Sequence, residues 1–188
     1  MILDIVKYGN PVLRARGKKI GAITPEIEQL ASDMLETMHD NAGVGLAGQQ
    51  IGRAIQLTVI DVREAGRPST LEVDGKEVPP ESMMPLVLIN PVVSEPTGEQ
   101  IGVEGCLSFP EISAEIKRAE GVRVEATNLK GERFQFHCTG LLARAAQHEV
   151  DHLNGVLFID RMDSATKASL SGRLKRLQKE TKSELAAR

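Results

Sequence analysis

The sequence predicts one α+β domain over residues 1–188, in which antiparallel or mixed β-sheets pack around a central helix, with one helix near each terminus. Two observations indicate this class. Short runs rich in β-branched residues alternate between apolar and polar positions, and three other segments carry apolar residues at helical spacing. Because strands and helices do not alternate regularly along the chain, the pattern disfavours a doubly wound parallel sheet.

The first predicted helix begins at Thr24 and Pro25, which supply a capping hydroxyl and a first-turn proline. Apolar residues then recur every three or four positions as far as Met38, so we expect an amphipathic helix of about four turns. The helix ends before residues 43–45, where two glycines permit close approach of another molecule. This segment is a candidate binding site.

Two short runs after it, residues 57–62 and 86–89, read as strands, and the second is expected to end at Asn90 and Pro91. The proline- and glycine-rich residues 63–85 between them read as a surface excursion with no assigned chemistry.

A hairpin is expected further along the chain, because residues 122–126 and 134–138 alternate between apolar and polar positions around a turn at 128–131. A helix follows from about 140 to 154 and ends at Gly155, a residue favoured at helix C-termini. The last helix is expected to begin at Asp163 and Ser164 and to extend over about 164–186.

The composition is that of an ordinary globular chain, with 41% hydrophobic and 26% charged residues and a net charge of -3. This charge offers no field for nucleic acid or an anionic membrane, so we expect no specific nucleic-acid site. We also expect no membrane segment and no signal peptide, because no apolar stretch is long enough to span a bilayer and no basic leader precedes one. Two cysteines and no disulfide framework favour a cytoplasmic protein.

The strongest chemical signal is the segment from His148 to His152, in which two histidines four residues apart project from one face of the predicted helix. One metal ion can bind both. Glu149 lies beside them, where it can act on a water held by the metal. The alternative, a buried helix whose histidines are only hydrogen-bonded, is less favoured because the apolar face of this helix points the same way.

A catalytic metal of this kind usually has three protein ligands and an open position, so a third ligand is needed. Cys106 lies between a glycine and a proline in residues 104–110, which suggests a fixed turn or strand end. Cys138 continues an apolar strand face and reads as a small core residue. His39 and His137 are weaker candidates. Spacing alone prefers Cys106 and leaves Cys138 open.

Three segments together resemble peptide deformylases: residues 43–50 (Gly-Val-Gly-Leu-Ala-Gly-Gln-Gln), 104–110 (Glu-Gly-Cys-Leu-Ser-Phe-Pro) and 147–152 (Gln-His-Glu-Val-Asp-His). Similarity extends over most of the chain. Gly48 stands where the family usually has alanine. We expect this smaller residue to leave Gln50 in place and to loosen the loop. Ser113 stands where some bacterial members have a basic residue.

The resemblance implies a metal-dependent hydrolase that removes the formyl group from the N-terminal formylmethionine of new polypeptides and releases formate. Cys106, His148 and His152 would hold one divalent metal ion. The family points to ferrous iron, with zinc, nickel or cobalt as substitutes. Hydroxide on the metal would attack the formyl carbon, with Glu149 as general base and then acid.

The resemblance also implies how substrate is bound. The side-chain amide of Gln50 and the backbone N–H of Leu107 would stabilise the developing oxyanion. Other residues would bind the peptide as an added strand through their backbone groups, and specificity would rest on a methionine pocket. Independently of the resemblance, Arg144 and Ala145 flank the histidines along the helix, so we expect their apolar parts to line that pocket. The substrate-binding residues implied are Val44, Gly45, Gly105 and Leu141. For Leu141 and Ala145, helix packing alone is at least as good an account.

Two other functions remain open at this point. A zinc endopeptidase shares the His-Glu-x-x-His pattern, but it needs a third ligand downstream, where only acidic residues such as Asp160 and Asp163 are available. A protein with a closed structural metal site would need a fourth protein ligand. We expect a monomer that meets nascent chains, and the basic C-terminal helix is either a ribosome contact or, as we prefer, a solvated face.

Overall fold

The computed structural model describes residues 1–188. Its helices are α1 (Pro25–Asp40), α2 (Gly140–Leu153) and α3 (Ser164–Ala186). Its strands are β1 (Gly45–Ala47), β2 (Leu57–Ile60), β3 (Ser69–Val73), β4 (Lys76–Val78), β5 (Leu86–Thr97), β6 (Gln100–Cys106), β7 (Phe109–Arg118), β8 (Gly121–Thr127) and β9 (Arg133–Thr139).

The strands form two sheets in which every neighbouring pair is antiparallel. The larger sheet has seven strands in the order β1-β2-β5-β8-β9-β3-β4, and the smaller consists of β6 and β7. The expected hairpin is present, since β8 pairs with β9 in a register that sets Val122 opposite Cys138 and Val124 opposite Phe136. The larger sheet leaves β1 at one edge and β4 at the other.

The core lies in three apolar clusters. One fills the space beside the larger sheet, where Val124 and Phe136 pack with Leu142 of α2. The second joins α1 to the first strands through Met34 and Leu46, and the third includes residues of β7 and α3. Eleven of the 14 residues of α2 are buried, so its polar side chains are largely removed from water. The α2 helix is therefore the central helix that the sequence predicts.

The three predicted helices are confirmed, and their ends match the expected signals. The Thr24 hydroxyl accepts a hydrogen bond from Ile27 N, 3.4 Å away, at the start of α1. Gly155 follows α2 with φ of +75°. Asp163 caps α3 by accepting from Thr166 N at 2.7 Å. None of the helices combines the length and the apolar character that crossing a membrane requires.

The expected end of the second strand at Asn90 and Pro91 is wrong, because β5 continues to Thr97. Its register with β8 shifts between Ile89 and Val92, and Asn90 takes a φ of +51° there. The Asn90 side chain accepts from Ile20 N at 2.9 Å and donates to Ile20 O at 2.8 Å. The turn signal in the sequence thus marks a β-bulge rather than a strand end.

The reading of residues 63–85 as a mere surface excursion is also wrong. Residues of this segment form the hairpin β3-β4, and β3 joins the larger sheet by pairing with β9. Leu71 is fully buried in the core beside Cys138, its partner in the register. Alternation in β3 is short, and its pairing partner lies more than sixty residues away, so the local pattern gave little sign of a strand.

Candidate metal centre and active site

Two elements bring three metal-binding side chains together. Cys106 is the last residue of β6, and His148 and His152 project from α2 one turn apart. The ligand atoms of the three residues all lie within 4.8 Å of one another. Cys106 Sγ lies 3.4 Å from His152 Nε2. These atoms are soft sulfur and imidazole nitrogen, a donor set that suits zinc, iron, cobalt or nickel.

The protonation states of the histidines fit a metal. His148 Nδ1 contacts Glu104 Oε1 at 2.8 Å, which leaves Nε2 as its metal-binding nitrogen. Burial opposes a charge on His148, but its contacts with Cys106 and Glu104 raise its pKa to about 10. Burial and the neighbouring His148 charge hold the pKa of His152 well below its usual value. The site therefore favours one positive charge beside a neutral imidazole, and a divalent ion can displace the His148 proton.

The other candidate ligands lie elsewhere. Cys138 is fully buried in the core of the larger sheet, and burial raises the pKa of its thiol to about 12. His39 Nε2 contacts Asp61 Oδ2 at 2.9 Å, and His137 lies in the β8-β9 hairpin opposite Arg123. The structure thus places Cys106, and none of these three, beside the α2 histidines.

The acidic residues that an endopeptidase would use as a third ligand have other partners. Asp160 accepts two hydrogen bonds from Arg14, at 2.5 and 3.1 Å, and Asp163 caps α3. The metal-binding cluster contains no fourth His, Cys, Asp or Glu. The structure therefore supports neither an endopeptidase ligand after the two histidines nor a closed structural metal site. The third ligand, Cys106, precedes the histidines in the chain.

Glu104 is a functional residue that sequence reasoning missed. Its carboxylate accepts hydrogen bonds from Arg118 at 2.8 and 2.9 Å, from Arg144 at 2.6 Å, and contacts His148. Burial alone would raise the pKa of Glu104, but Arg118 and His148 lower it well below its usual range. The carboxylate therefore stays ionised and orients the His148 ring. The available signal was its position two residues before Cys106, in the same strand.

Asp151 and Gln147, to which the sequence assigned no role, anchor α2 from its other side. Asp151 accepts a hydrogen bond from Arg118 at 2.7 Å and two from Arg161 at 3.0 and 3.1 Å. Gln147 accepts from Ala119 N at 3.1 Å and donates to Ala119 O at 3.0 Å. Both contacts fix the rotation of the helix that carries the histidines.

Glu149 lies on the adjoining face of α2 and is 4% exposed. Burial raises its pKa to about 7. Thr58 Oγ1 lies 3.5 Å from its Oε2. A Cβ at Gly45 would lie only 2.7 Å from Glu149 Oε1, so glycine allows β1 to approach the carboxylate. A carboxylate with a pKa near neutrality can both accept and return a proton.

The amide of Gln50 is buried and held in one orientation. Its Oε1 accepts from Ala47 N at 3.0 Å, so its NH₂ group points the other way, towards Cys106 Sγ at 3.4 Å and Ser108 Oγ at 3.3 Å. Gly48 does not leave room in this loop, because a Cβ there would lie 2.6 Å from Arg53 O. The expected loosening of the loop by Gly48 stays a prediction.

A cavity of about 650 Å³ opens beside the metal-binding residues. Its lining includes Cys106, His148, Glu149, Gln50 and Leu107. The residues that the resemblance assigned to substrate binding also line it: Val44, Gly45, Gly105 and Leu141. Ser113 lies on the same lining. The chemistry and the expected binding surfaces therefore share one cavity.

The family model described as polypeptide deformylase matches residues 2–168. The chain belongs to the polypeptide deformylase family. A peptide deformylase of Opitutus terrae is 47% identical over 184 residues, covering 97% of this chain and 96% of that protein. The peptide deformylase of Methylacidiphilum infernorum is 42% identical, covering 95% of this chain and 94% of that protein.

Solved deformylase structures share the fold. The peptide deformylase of Thermotoga maritima superposes with a TM-score of 0.75 at 36% identity, covering 87% of this chain and 99% of that one. Peptide deformylase 1B of Arabidopsis thaliana, in complex with an inhibitor, gives a TM-score of 0.83 at 36% identity, covering 97% and 93%. The α+β class and the metallohydrolase activity expected from the resemblance are confirmed: the chain is a metal-dependent deformylase with a Cys-His-His site.

Proposed function

We propose that this deformylase acts on the N-terminal formylmethionine of nascent polypeptides, with Glu149 as general base and then general acid. The observation that carries the proposal is the buried Glu149 carboxylate, which lines the same cavity as Cys106 and His148. In the reaction water adds to the formyl carbon, the carbon–nitrogen bond breaks, and formate and a free amine are released.

The residues fit one divalent metal ion, held by Cys106, His148 and His152. We propose ferrous iron as the resident ion, with zinc, nickel or cobalt as substitutes, since the donor set suits all four. When bound, the ion supplies Lewis-acid activation of water and of the formyl carbonyl. The Glu104 contact fixes which nitrogen of His148 is available to it.

Glu149 moves the proton. Its carboxylate takes a proton from the attacking water and later delivers it to the nitrogen of the leaving amine. A pKa of about 7 suits both transfers, because the group is then neither too weak a base nor too weak an acid at neutral pH. The contact with Thr58 keeps one carboxylate oxygen oriented.

The oxyanion that develops on the formyl oxygen needs hydrogen-bond donors. Gln50 Nε2 is directed towards Cys106 because the other end of the amide is bonded to Ala47 N. We assign Gln50 and the backbone N–H of Leu107 to this role. Loss of one such donor typically costs about 2.7–4 kcal/mol of transition-state stabilisation.

The peptide binds as an added strand between two sheet edges. β1 is the edge strand of the larger sheet, and β6 pairs only with β7. Val44 and Gly45 lie on the cavity side of the first edge and Gly105 on the second. Backbone hydrogen bonding along such edges accepts varied sequences after the first residue. Leu141 of α2 lines the pocket for the methionine side chain.

Glu149→Gln tests the proposal, since it keeps the shape of the side chain and removes its base. We expect the variant to bind its metal ion as the wild type does and to lose deformylation of a formyl-Met peptide by at least about a hundredfold. Glu28→Gln, at an exposed position of α1, is the matched control, because it removes one negative charge away from the site. Normal turnover in the Glu149 variant would remove this residue from the mechanism.

We propose a monomeric cytoplasmic enzyme that meets nascent chains. The basic face of α3 carries exposed cations, and we favour a solvated face over a ribosome contact. These cations are Arg173, Lys175, Arg176, Lys179 and Lys182. Cosedimentation with ribosomes at low salt, compared with a variant in which three of them are glutamate, tests the ribosome alternative.

A further inference from the structure

Asp61 directly follows β2 and carries a buried carboxylate, whose side chain is only 5% exposed. The carboxylate accepts hydrogen bonds from Arg63 Nε at 3.0 Å, from Arg63 Nη2 at 2.6 Å and from Arg63 N at 3.1 Å. The contacts with Arg63 lower the pKa of Asp61 to about 2, although burial opposes the charge. His39 Nε2 lies 2.9 Å from Asp61 Oδ2. Because an ionised carboxylate can only accept, His39 Nε2 is the donor of this hydrogen bond.

The backbone of Asp61 fixes the segment that joins α1 to β1 and lines the substrate cavity. Asp61 N donates to Val44 O at 2.8 Å. Because the peptide unit is planar and trans, the Gly45 N–H points the opposite way, from β2 towards the free edge of β1. Ala47 N, two residues further along the strand, points the same way and donates to Gln50 Oε1 at 3.0 Å. The Gly45 N–H therefore lies on the side of β1 that faces the Gln50 amide.

His39, near the end of α1, holds the same segment at its other end. His39 O accepts from Ala42 N at 3.1 Å. Ala42 has a φ of +53°, a left-handed conformation that a residue with a side chain keeps only where its surroundings impose it. The His39 ring bonds to Asp61 and its carbonyl bonds to Ala42, so one residue ties this turn to the end of β2.

The three side chains of this cluster do not line the cavity themselves. Any effect of His39, Asp61 and Arg63 on the substrate must therefore pass through the segment that they hold.

We propose that Asp61, His39 and Arg63 are positioning residues for deformylation, because together they fix the direction in which Gly45 presents its backbone to the substrate peptide. The inference rests on the function proposed above, in which the peptide is added as a strand at β1. An edge that is already ordered binds a peptide without the cost of ordering it. Loosening the cluster should therefore weaken peptide binding more than it slows the chemical step.

A role in stability alone would give a different kinetic result. Loss of folded enzyme lowers kcat equally for every substrate and leaves KM unchanged. Loss of the Gly45 alignment instead raises KM, and it does so more for a tripeptide, which pairs along the edge, than for formylmethionine alone. The ratio of kcat/KM for the tripeptide to kcat/KM for formylmethionine therefore reports the alignment of the edge.

Three variants and one control separate these roles. His39→Leu removes the ring donor at a position whose side chain is 50% exposed, so the fold should tolerate it. His39→Gln is the conservative rescue, because its amide group supplies a donor in place of Nε2. Asp61→Asn keeps the shape of the side chain and removes its charge. His137→Leu, the same change on β9 and outside the cavity lining, is the matched control.

The test measures kcat and KM of each metal-loaded enzyme with a formyl-Met tripeptide and with formylmethionine. We expect KM for the tripeptide to rise about threefold in His39→Leu and about tenfold in Asp61→Asn, as for loss of a half-exposed and of a buried hydrogen bond to a charged group. The tripeptide-to-formylmethionine ratio should fall in both variants, while kcat changes by less than about twofold. His39→Gln and His137→Leu should behave as the wild type does with both substrates.

An unchanged KM for the tripeptide in both His39→Leu and Asp61→Asn would overturn the inference. An equal fall in kcat for the two substrates with KM unchanged would also overturn it, since that result indicates a role in stability alone. So would a His39→Gln variant as impaired as His39→Leu, because the donor to Asp61 would then not matter. A metal-loaded wild type that releases formate from neither substrate would instead overturn the proposed function.

Discussion

Glu104→Gln is the substitution that most directly tests how the fold supports the metal centre. The wild-type carboxylate accepts three hydrogen bonds from Arg118 and Arg144 and contacts His148 Nδ1 at 2.8 Å. The substitution keeps the shape and removes the charge. Breaking a buried ion pair from one side costs about 3–5 kcal/mol. Because Arg118 still pairs with Asp151, we expect the lower end, about 3 kcal/mol of unfolding free energy.

The same variant should weaken metal binding. Loss of an outer partner of a metal-binding histidine typically costs about 10- to 100-fold in affinity. We expect this range for zinc or nickel, measured by competition with a chelator, while urea unfolding of the metal-free chain gives the stability loss. Glu99→Gln, at an exposed position, is the matched control. Metal affinity and unfolding free energy both equal to those of the wild type would refute the role given to Glu104.

The pH dependence of stability follows from the same carboxylate. Because the folded-state pKa of Glu104 is lowered from 4.5, its stabilisation is fully present above that value and is lost as pH falls below it. As pH falls below about 4.5, the unfolding free energy of the Glu104→Gln variant should therefore decrease less than that of the wild type. Equal acid sensitivity of the two proteins would contradict the direction of this shift.

Three further outcomes are expected. Gln50→Ala should keep its metal and lose about 10²–10³ in kcat/KM, whereas a near-normal rate would leave Gln50 only a loop-closing role. The kcat/KM of the wild type should rise with pH as a group with a pKa at or below about 7 loses its proton, because Glu149 acts first as a base and a bound cation favours its carboxylate form. The kcat/KM of Glu149→Gln should not show this rise with pH. Gly48→Ala should lower the melting temperature, since its Cβ would meet Arg53 O at 2.6 Å.

Local signals in the sequence were sufficient for the helices and the metal-binding pair. Capping residues such as Thr24 and Asp163 act on neighbouring backbone N–H groups, so their meaning can be read within a few positions. The spacing of His148 and His152 follows from helix geometry in the same way. Prediction of a single domain also came from sequence, and it stays a prediction that one cooperative unfolding transition would test.

Features that depend on distant parts of the chain were not predicted. β3 is a strand because it pairs with β9, and nothing within residues 63–85 specifies that partner. The signal at Asn90 was read as a strand end, which is wrong, because a β-bulge and a strand end use the same residue types. Choosing Cys106 over Cys138 needed the family resemblance, since both cysteines had plausible roles by spacing.

The buried ion pairs of the site were also not predicted from the sequence. Glu104 and Arg144 lie 40 residues apart and meet only because β6 packs beside α2. In sequence Arg144 resembles any helix cation, and its approach to Glu104 follows from the folded arrangement alone.

The most direct test of the central claim is formate release from a formyl-Met peptide by anaerobically prepared protein loaded with ferrous iron or nickel, with the same peptide lacking the formyl group as control. We expect stoichiometric formate and free amine from the formylated peptide, no change in the control, and loss of release when the metal is removed. Cleavage within either peptide without formate release would contradict the account.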